Sequence, residues 1–284
     1  MVRAMRPVQW TKNGVLFAGL IFGGKLFDLD AIASAVLAVI CFCALSGGFY
    51  LVNDVRDAAA DRMHPLKRWR PVAAGELAPG HAMRFGVALI GVAITASALL
   101  GSGFVLATLA YALIMVAYNL GLKEMVILDV FAIAAGFVIR AAAGAIAVDV
   151  SISPWLLICT MMLALLISFG KRRYELTSLA DAAGHRRNLE SYSAPVLDQA
   201  VAVTAAGTLI AYAVYTFEAE TAPRDHRMML TIPVVAYGIF RYLYLLYRRG
   251  DGGAPEVMLL ADRGLLAAVT VWGLLCAFLF YASV

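Results

Sequence analysis

The feature that most constrains this chain is its run of long apolar blocks. Nine are read, at 13–27, 30–52, 81–101, 104–122, 125–147, 153–171, 195–217, 229–247 and 262–283. Most are close to the ~20 residues that a helix needs to cross ~30 Å of hydrocarbon. Hydrophobic residues make up 62% of the chain and charged residues 15%, too little charge to clothe a water-facing globule. Backbone polar groups in lipid must be satisfied within helices or closed barrels, and the short alternating strands of a barrel are absent. The expected fold is therefore all-α, a polytopic membrane bundle of about nine transmembrane helices in one domain, 1–284. The first block is the weakest. It is short, with Lys25 and Asp28 at its exit, and reads as a tilted or partly inserted helix.

The basic residues orient the bundle. With the N-terminus in the cytoplasm, only Lys25, Arg224 and Arg227 of the 23 Lys and Arg fall on the outer side, and Arg140 lies within a segment. The positive-inside rule then predicts N-in, C-out. Outer turns are mostly tight, as at Gly101-Ser102-Gly103, whereas two cytoplasmic connections, about 53–80 and 172–194, are long and rich in both charges. Long connections in a compact bundle commonly carry function. No removable signal peptide is read at Met1-Val2-Arg3-Ala4-Met5-Arg6-Pro7. Cys41, Cys43, Cys159 and Cys276 lie inside apolar blocks and read as packing residues. His64, His81, His185 and His226 are scattered without ligand spacing.

The first long connection opens Asn53-Asp54-Val55-Arg56-Asp57-Ala58-Ala59-Ala60-Asp61. If the second apolar helix continues through it, Asp54, Asp57 and Asp61 fall within an arc of about 60°. Carboxylates facing one way repel each other unless a cation lies between them. Magnesium takes carboxylate, water and phosphate oxygens, so the run predicts a metal bridge to a diphosphate. Lys67-Arg68-Trp69-Arg70-Pro71 follows, and Lys and Arg suit phosphate recognition.

The pattern N-D-x-x-D-x-x-x-D, then K-R-x-R-P-x-x-x-G, resembles the first signature of the UbiA superfamily of intramembrane prenyltransferases. The resemblance extends over nearly the whole chain in segment number, topology and loop placement. It implies a nine-helix bundle with a magnesium-diphosphate site at the cytoplasmic helix ends, with Asp54, Asp57 and Asp61 as metal-holding catalytic residues and Asn53 beside them. It also implies that Tyr118 and Lys123, at the end of the fourth helix, touch the diphosphate.

Most of that superfamily carries a second aspartate-rich motif in the later cytoplasmic loop. Here the place reads Gly170-Lys171-Arg172-Arg173-Tyr174-Glu175-Leu176, three cations and one carboxylate. A site for a second anionic group suits this better than a second carboxylate-held metal. The pattern G-K-R-x-x-E-L, the later Leu189-Glu190-Ser191-Tyr192, and the N-terminal Arg6-Pro7-Val8-Gln9-Trp10-Thr11-Lys12-Asn13 are similar to the decaprenyl-phosphate phosphoribosyltransferase subfamily. That likeness implies transfer of 5-phosphoribosyl from phosphoribosyl pyrophosphate to polyprenyl phosphate, serving cell-wall arabinan precursor synthesis. Lys171 and Glu175 become catalytic candidates. Lys12, Lys67, Arg68, Arg70, Asp129, Arg172, Glu190 and Tyr192 become substrate-binding candidates. The implied cofactor is Mg2+. The implied partners are phosphoribosyl pyrophosphate, polyprenyl phosphate and the lipid bilayer, with no nucleic acid and a homo-oligomer allowed. The implied location is the plasma membrane, multi-pass, with the site at the cytoplasmic face.

Asp129 and Arg140, 11 residues apart in the fifth segment, share a helix face to within ~20°. Ionisable groups in membrane helices face a cavity or a partner. Asp129, near the cytoplasmic end, could face the site, while Arg140 reads as a link between helices. Gly136, Ala143 and Gly144 near that face permit close helix approach. Two other functions use similar features. An aromatic or porphyrin prenyltransferase would share the first motif but needs the missing second one. A transporter would use helices broken at the midplane, whereas the ionisable groups here gather at helix ends.

Overall fold

The computed structural model describes residues 1–63, 67–178, 189, 191–219, 225–249 and 252–281. Helices dominate, and no strand occurs among the described residues. Eight helical stretches there are long and apolar enough to cross a bilayer. They contain α2 (Leu29–Arg56), α4 (Pro79–Ser97), α5 (Ser102–Leu120), α6 (Leu128–Ala147), α7 (Pro154–Ser178), α8 (Ala194–Glu218), α9 (Ile232–Tyr244) and α11 (Arg263–Tyr281). Three short helices complete the set: α1 (Ala18–Phe22), α3 (Ala58–Met63) and α10 (Pro255–Ala261).

The expected first helix, 13–27, takes another form. Pro7–Phe17 is a 3-10 segment that runs into α1. At ~2.0 Å per residue a 3-10 helix is longer than an α-helix of equal count, so Pro7 to Phe22 still covers close to ~30 Å. Its ends lie at opposite faces of the bundle. Arg6 pairs with Asp54 in the last turn of α2. At the far end Lys25 Nζ donates to the Val148 carbonyl beyond α6 (3.0 Å), and the Leu26 N–H donates to the Tyr281 hydroxyl at the end of α11.

Close approach shapes this segment. A Cβ on Gly144 of α6 would run into the Leu16 backbone, and one on Gly19 would run into the backbone of Ala145. The small-residue face of α6 thus receives the slim N-terminal segment at backbone contact. Asn13 and Leu16 are buried there, beside Ala143 and Gly144.

Alternation of the spans gathers the long connections at one face. The ends of α2, α5, α7 and α9 and the starts of α4, α6, α8 and α11 lie on the Asp54 side, together with the N-terminus, α3 and α10. The opposite face carries the turns near 98–101 and 148–153 and an aromatic cluster in which Phe22 meets Tyr215, Trp272 and Phe280. All four cysteines are free, three of them buried among apolar neighbours.

Candidate active site

The aspartate run sits where α2 gives way to α3. Asp57 interrupts the helix, yet the bonding pattern continues through it. Its N–H donates to the Asn53 carbonyl (2.9 Å), and the Asp61 N–H donates to the Asp57 carbonyl (2.8 Å). Three other parts of the chain bring cations to these carboxylates. Arg6 donates to Asp54 Oδ1. Arg70 Nη1 lies 2.6 Å from Asp61 Oδ2 and 3.4 Å from Asp54 Oδ1. Lys123 Nζ, from the connection between α5 and α6, lies 2.8 and 3.1 Å from the two oxygens of Asp57. Asp54 is 1% exposed and Asp61 3%. The expected set is therefore divided, with Asp54 and Asp61 joined through Arg70 and Asp57 turned to Lys123. Mutual repulsion is relieved by side-chain cations.

Arg6 adopts a left-handed backbone, φ 54°, which costs roughly 1–2 kcal/mol for a residue with a Cβ. The conformation separates two 3-10 turns and aims the guanidinium at Asp54, over the Tyr50 ring at 4.9 Å. Arg3, Arg6, Asp54, Trp69, Arg70 and Pro71 line an open cavity of about 190 Å³. Lys67 is half-buried at its edge of the loop, and Arg68 is exposed with its guanidinium over Trp69 at 4.9 Å. Asn53 and Tyr118 are half-buried at the same end of the bundle.

The donor set fits magnesium in one respect and limits it in another. Asp54 Oδ2 is buried and has no hydrogen-bond partner, a hard oxygen with its lone pairs uncommitted. Among the described residues no three Asp, Glu, His or Cys converge closely enough to cage a metal. Magnesium commonly uses one or two carboxylates and completes its shell with water and phosphate, so an incomplete protein cage suits an ion delivered with a diphosphate.

A second cluster lies between α6 and α7. Arg172 is 2% exposed, and its Nε donates to Asp129 Oδ2 (2.7 Å) while its Nη1 donates to Glu175 Oε2 (2.5 Å). The Tyr192 hydroxyl donates to Asp129 Oδ1 (3.0 Å) and accepts from the Ile127 N–H (2.6 Å). Ile127 holds φ 69° at the start of α6, an outlying conformation for a β-branched residue. Burial pushes the Tyr192 phenol up to about 12, and the Asp129 charge acts in the same direction. Arg172, Asp129, Glu175 and Tyr192 are thus brought together, as a brace in which Arg172 faces carboxylates. Glu190 lies outside the described residues, as do His64 and Asp181.

Asp129 and Arg140 do not pair with each other. Arg140 Nε donates to Asn13 Oδ1 (2.8 Å), Nη1 to the Gly136 carbonyl (3.1 Å) and Nη2 to the Tyr111 hydroxyl (2.7 Å). It ties the N-terminal segment, α5 and α6, the linking role expected of it.

Lys12 and Lys171 are half-buried. One residue at this end of the bundle was not singled out by sequence patterns. Glu256, at the start of α10, accepts from Gln9 Nε2 (2.5 Å). Burial pushes the Glu256 carboxyl up, but the Lys12 charge, the Gln9 bond, a backbone hydrogen bond and Lys171 outweigh it and hold the carboxyl below its usual range. Arg6 stands in the N-terminal pattern Arg6 to Asn13, but nothing in that pattern points to its contact with Asp54.

The chain belongs to the UbiA prenyltransferase family, which matches residues 14–262. Within that family it is similar to two curated proteins named decaprenyl-phosphate phosphoribosyltransferase. One, from Corynebacterium glutamicum, is 34% identical over 278 residues, covering 96% of this chain and 84% of the relative. The other, from Mycolicibacterium smegmatis, is 30% identical over 285 residues, covering 96% and 89%. A solved UbiA homologue from Archaeoglobus fulgidus, bound to GPP and Mg2+, superposes with a TM-score of 0.74 at 20% identity, covering 98% of this chain and 96% of that one. This last likeness establishes the fold.

Proposed function

We propose that the protein transfers 5-phosphoribosyl from phosphoribosyl pyrophosphate to a polyprenyl phosphate and releases pyrophosphate, at the cytoplasmic face of a cell membrane. One observation carries the reading. In a chain aligned over 96% of its length with relatives of that named activity, the second connection offers Lys171 beside a Glu175 already engaged by Arg172. A cationic second half suits a second phosphate better than a second carboxylate-held metal.

Asp54, Asp57 and Asp61 would hold magnesium, which when bound neutralises charge on the leaving pyrophosphate. Arg6, Arg70 and Lys123 are the cations already at these carboxylates. They supply donors for the diphosphate oxygens, with Lys67, Arg68, Asn53 and Tyr118 around them. The C1–O bond to pyrophosphate breaks, and a lipid phosphate oxygen forms the new bond to C1 from the opposite side, inverting that centre. A phosphate monoester is largely dianionic at neutral pH, so no strong general base is needed. Lys171 orients this nucleophile without removing its charge. Arg172 acts through its neighbours, holding Asp129 and Glu175 in place as α7 meets α6.

The reading is tested by pyrophosphate release from purified protein with magnesium. Release that requires both phosphoribosyl pyrophosphate and polyprenyl phosphate supports it. Release from geranyl diphosphate with an aromatic acceptor, and none from the first pair, refutes it.

A further inference from the structure

The last turns of α7 carry Gly170, Lys171 and Arg172. Successive residues on a helix point about 100° apart, so Gly170 and Arg172 lie on nearly opposite faces with Lys171 between them. The Arg172 face is drawn to α6 by Asp129, at 2.7 Å. The Gly170 face is met by α9. A Cβ on Gly170 would run into the Tyr242 hydroxyl and come within 3.2 Å of Tyr242 Cζ and Leu246 Cδ2. Tyr242 is 7% exposed, and its hydroxyl is buried without a hydrogen-bond partner among the described residues. A phenylalanine would fill the place of the ring and strand no donor, so the hydroxyl costs stability where it stands. What it supplies is bulk against the Gly170 backbone.

The surrounding chain keeps this contact in place. Directly after α9, Leu245–Arg249 forms a π-helical turn, a distortion that recurs at functional sites. It delivers Leu246 to Gly170 and sets the Tyr247 ring under the Arg173 guanidinium at 4.2 Å. Arg173 Nε also donates to Asp198 Oδ1 of α8 (2.5 Å). Beyond the turn, Gly252 and Gly253 lie against Tyr174 of α7, too close for a Cβ at either, and Gly252 also abuts the Gly170 carbonyl. Residues 170, 172, 173 and 174 are thus each met by another element. Together they decide where Lys171 projects.

We propose that Tyr242 is a positioning residue for the reaction. Its hydroxyl is a wedge that sets how far the Gly170 face of α7 stands from α9, and so where Lys171 presents its ammonium. The proposal rests on the function proposed above only through the role given there to Lys171.

Tyr242→Phe and Gly170→Ala test it as a pair. Tyr242→Phe strands no hydroxyl and melts above the wild type. It turns over about tenfold more slowly, because misplacing an orienting group by a fraction of ~1 Å costs rate on that order. KM for phosphoribosyl pyrophosphate stays unchanged, since Arg6, Arg70 and Lys123 are untouched. Gly170→Ala overfills the contact and lowers both Tm and kcat. In the double variant the new methyl stands where the hydroxyl stood, and most of the lost kcat returns. Wild-type kcat in Tyr242→Phe, a Tyr242→Phe protein that melts below the wild type, or a double variant slower than Tyr242→Phe overturns the proposal. A contact that served packing alone would move Tm and leave kcat where it was.

Lysine acetylation of the full-length protein in detergent, followed by mass spectrometry without substrates, needs no turnover. The rate at Lys171 shifts in Tyr242→Phe and returns in the double variant, while Lys25 at the opposite face keeps its wild-type rate. That pattern in a protein that makes no lipid-linked product keeps the wedge and refutes the proposed reaction. Lipid-linked product with no shift at Lys171 overturns the wedge and keeps the reaction.

Discussion

Asp129→Ala isolates the buried brace. In the wild type Asp129 is fully buried and Arg172 is 2% exposed, with 2.7 Å between Asp129 Oδ2 and Arg172 Nε. The Tyr192 hydroxyl also donates to Asp129, at 3.0 Å. Truncation leaves a buried guanidinium with Glu175 as its carboxylate partner and removes the acceptor of a buried phenol. Breaking one side of a buried ion pair costs about 3–5 kcal/mol. At about 2 °C per kcal/mol for a chain of this size, the apparent Tm should fall on the order of 6–10 °C. The assay is heating in detergent, followed by size-exclusion chromatography read by tryptophan fluorescence. The double variant Asp129→Leu with Arg172→Met removes both charges and should recover much of the loss, because paired replacement by apolar groups is often neutral. A single variant that melts with the wild type, or a double variant worse than the single, refutes the brace.

Other perturbations separate chemistry from architecture. Asp57→Asn should lower turnover by about a hundredfold with an unchanged chromatographic profile; near-normal turnover removes this carboxylate from the mechanism. Gly144→Val drives a side chain into the Leu16 backbone, so monodisperse protein should be lost, and a well-behaved variant contradicts the close packing of α6 on the N-terminal segment. Tyr192→Phe leaves the Ile127 N–H and one Asp129 oxygen without the shared hydroxyl and should cost about 1–3 kcal/mol, read as a smaller Tm shift than Asp129→Ala. Chelation of divalent ions should stop turnover and magnesium should restore it; turnover that persists in excess chelator rejects a magnesium-dependent reaction.

The sequence made the eight long spans legible because hydropathy and length determine which helices lipid can accept. It read the first crossing less well. Pro7–Phe17 is held by contacts with Gly144 and Arg140 on another helix, and no local propensity encodes a long 3-10 segment. Asp54, Asp57 and Asp61 were visible as a run because carboxylates at helical spacing on one face are costly and therefore conspicuous. Their partners were less visible. Arg6 stands in the N-terminal pattern, but its partner is fixed only when the fold sets it against Asp54. Lys171 and Arg172 are neighbours in sequence but diverge by ~100° on a helix, which sends Arg172 inward to Asp129 and leaves Lys171 half-buried on another face. Glu256 sits in an unremarkable polar connection, and its meaning comes from Gln9, 247 residues away in the chain.

The central claim is the identity of the transferred group. Purified protein in detergent with magnesium, polyprenyl phosphate and phosphoribosyl pyrophosphate labelled in the ribose answers it, with the organic-phase product analysed by mass spectrometry. The account predicts labelled phosphoribosyl joined to the lipid phosphate, inverted at C1. A lipid phase that stays unlabelled, while a prenyl diphosphate alkylates an aromatic acceptor under the same conditions, would contradict it.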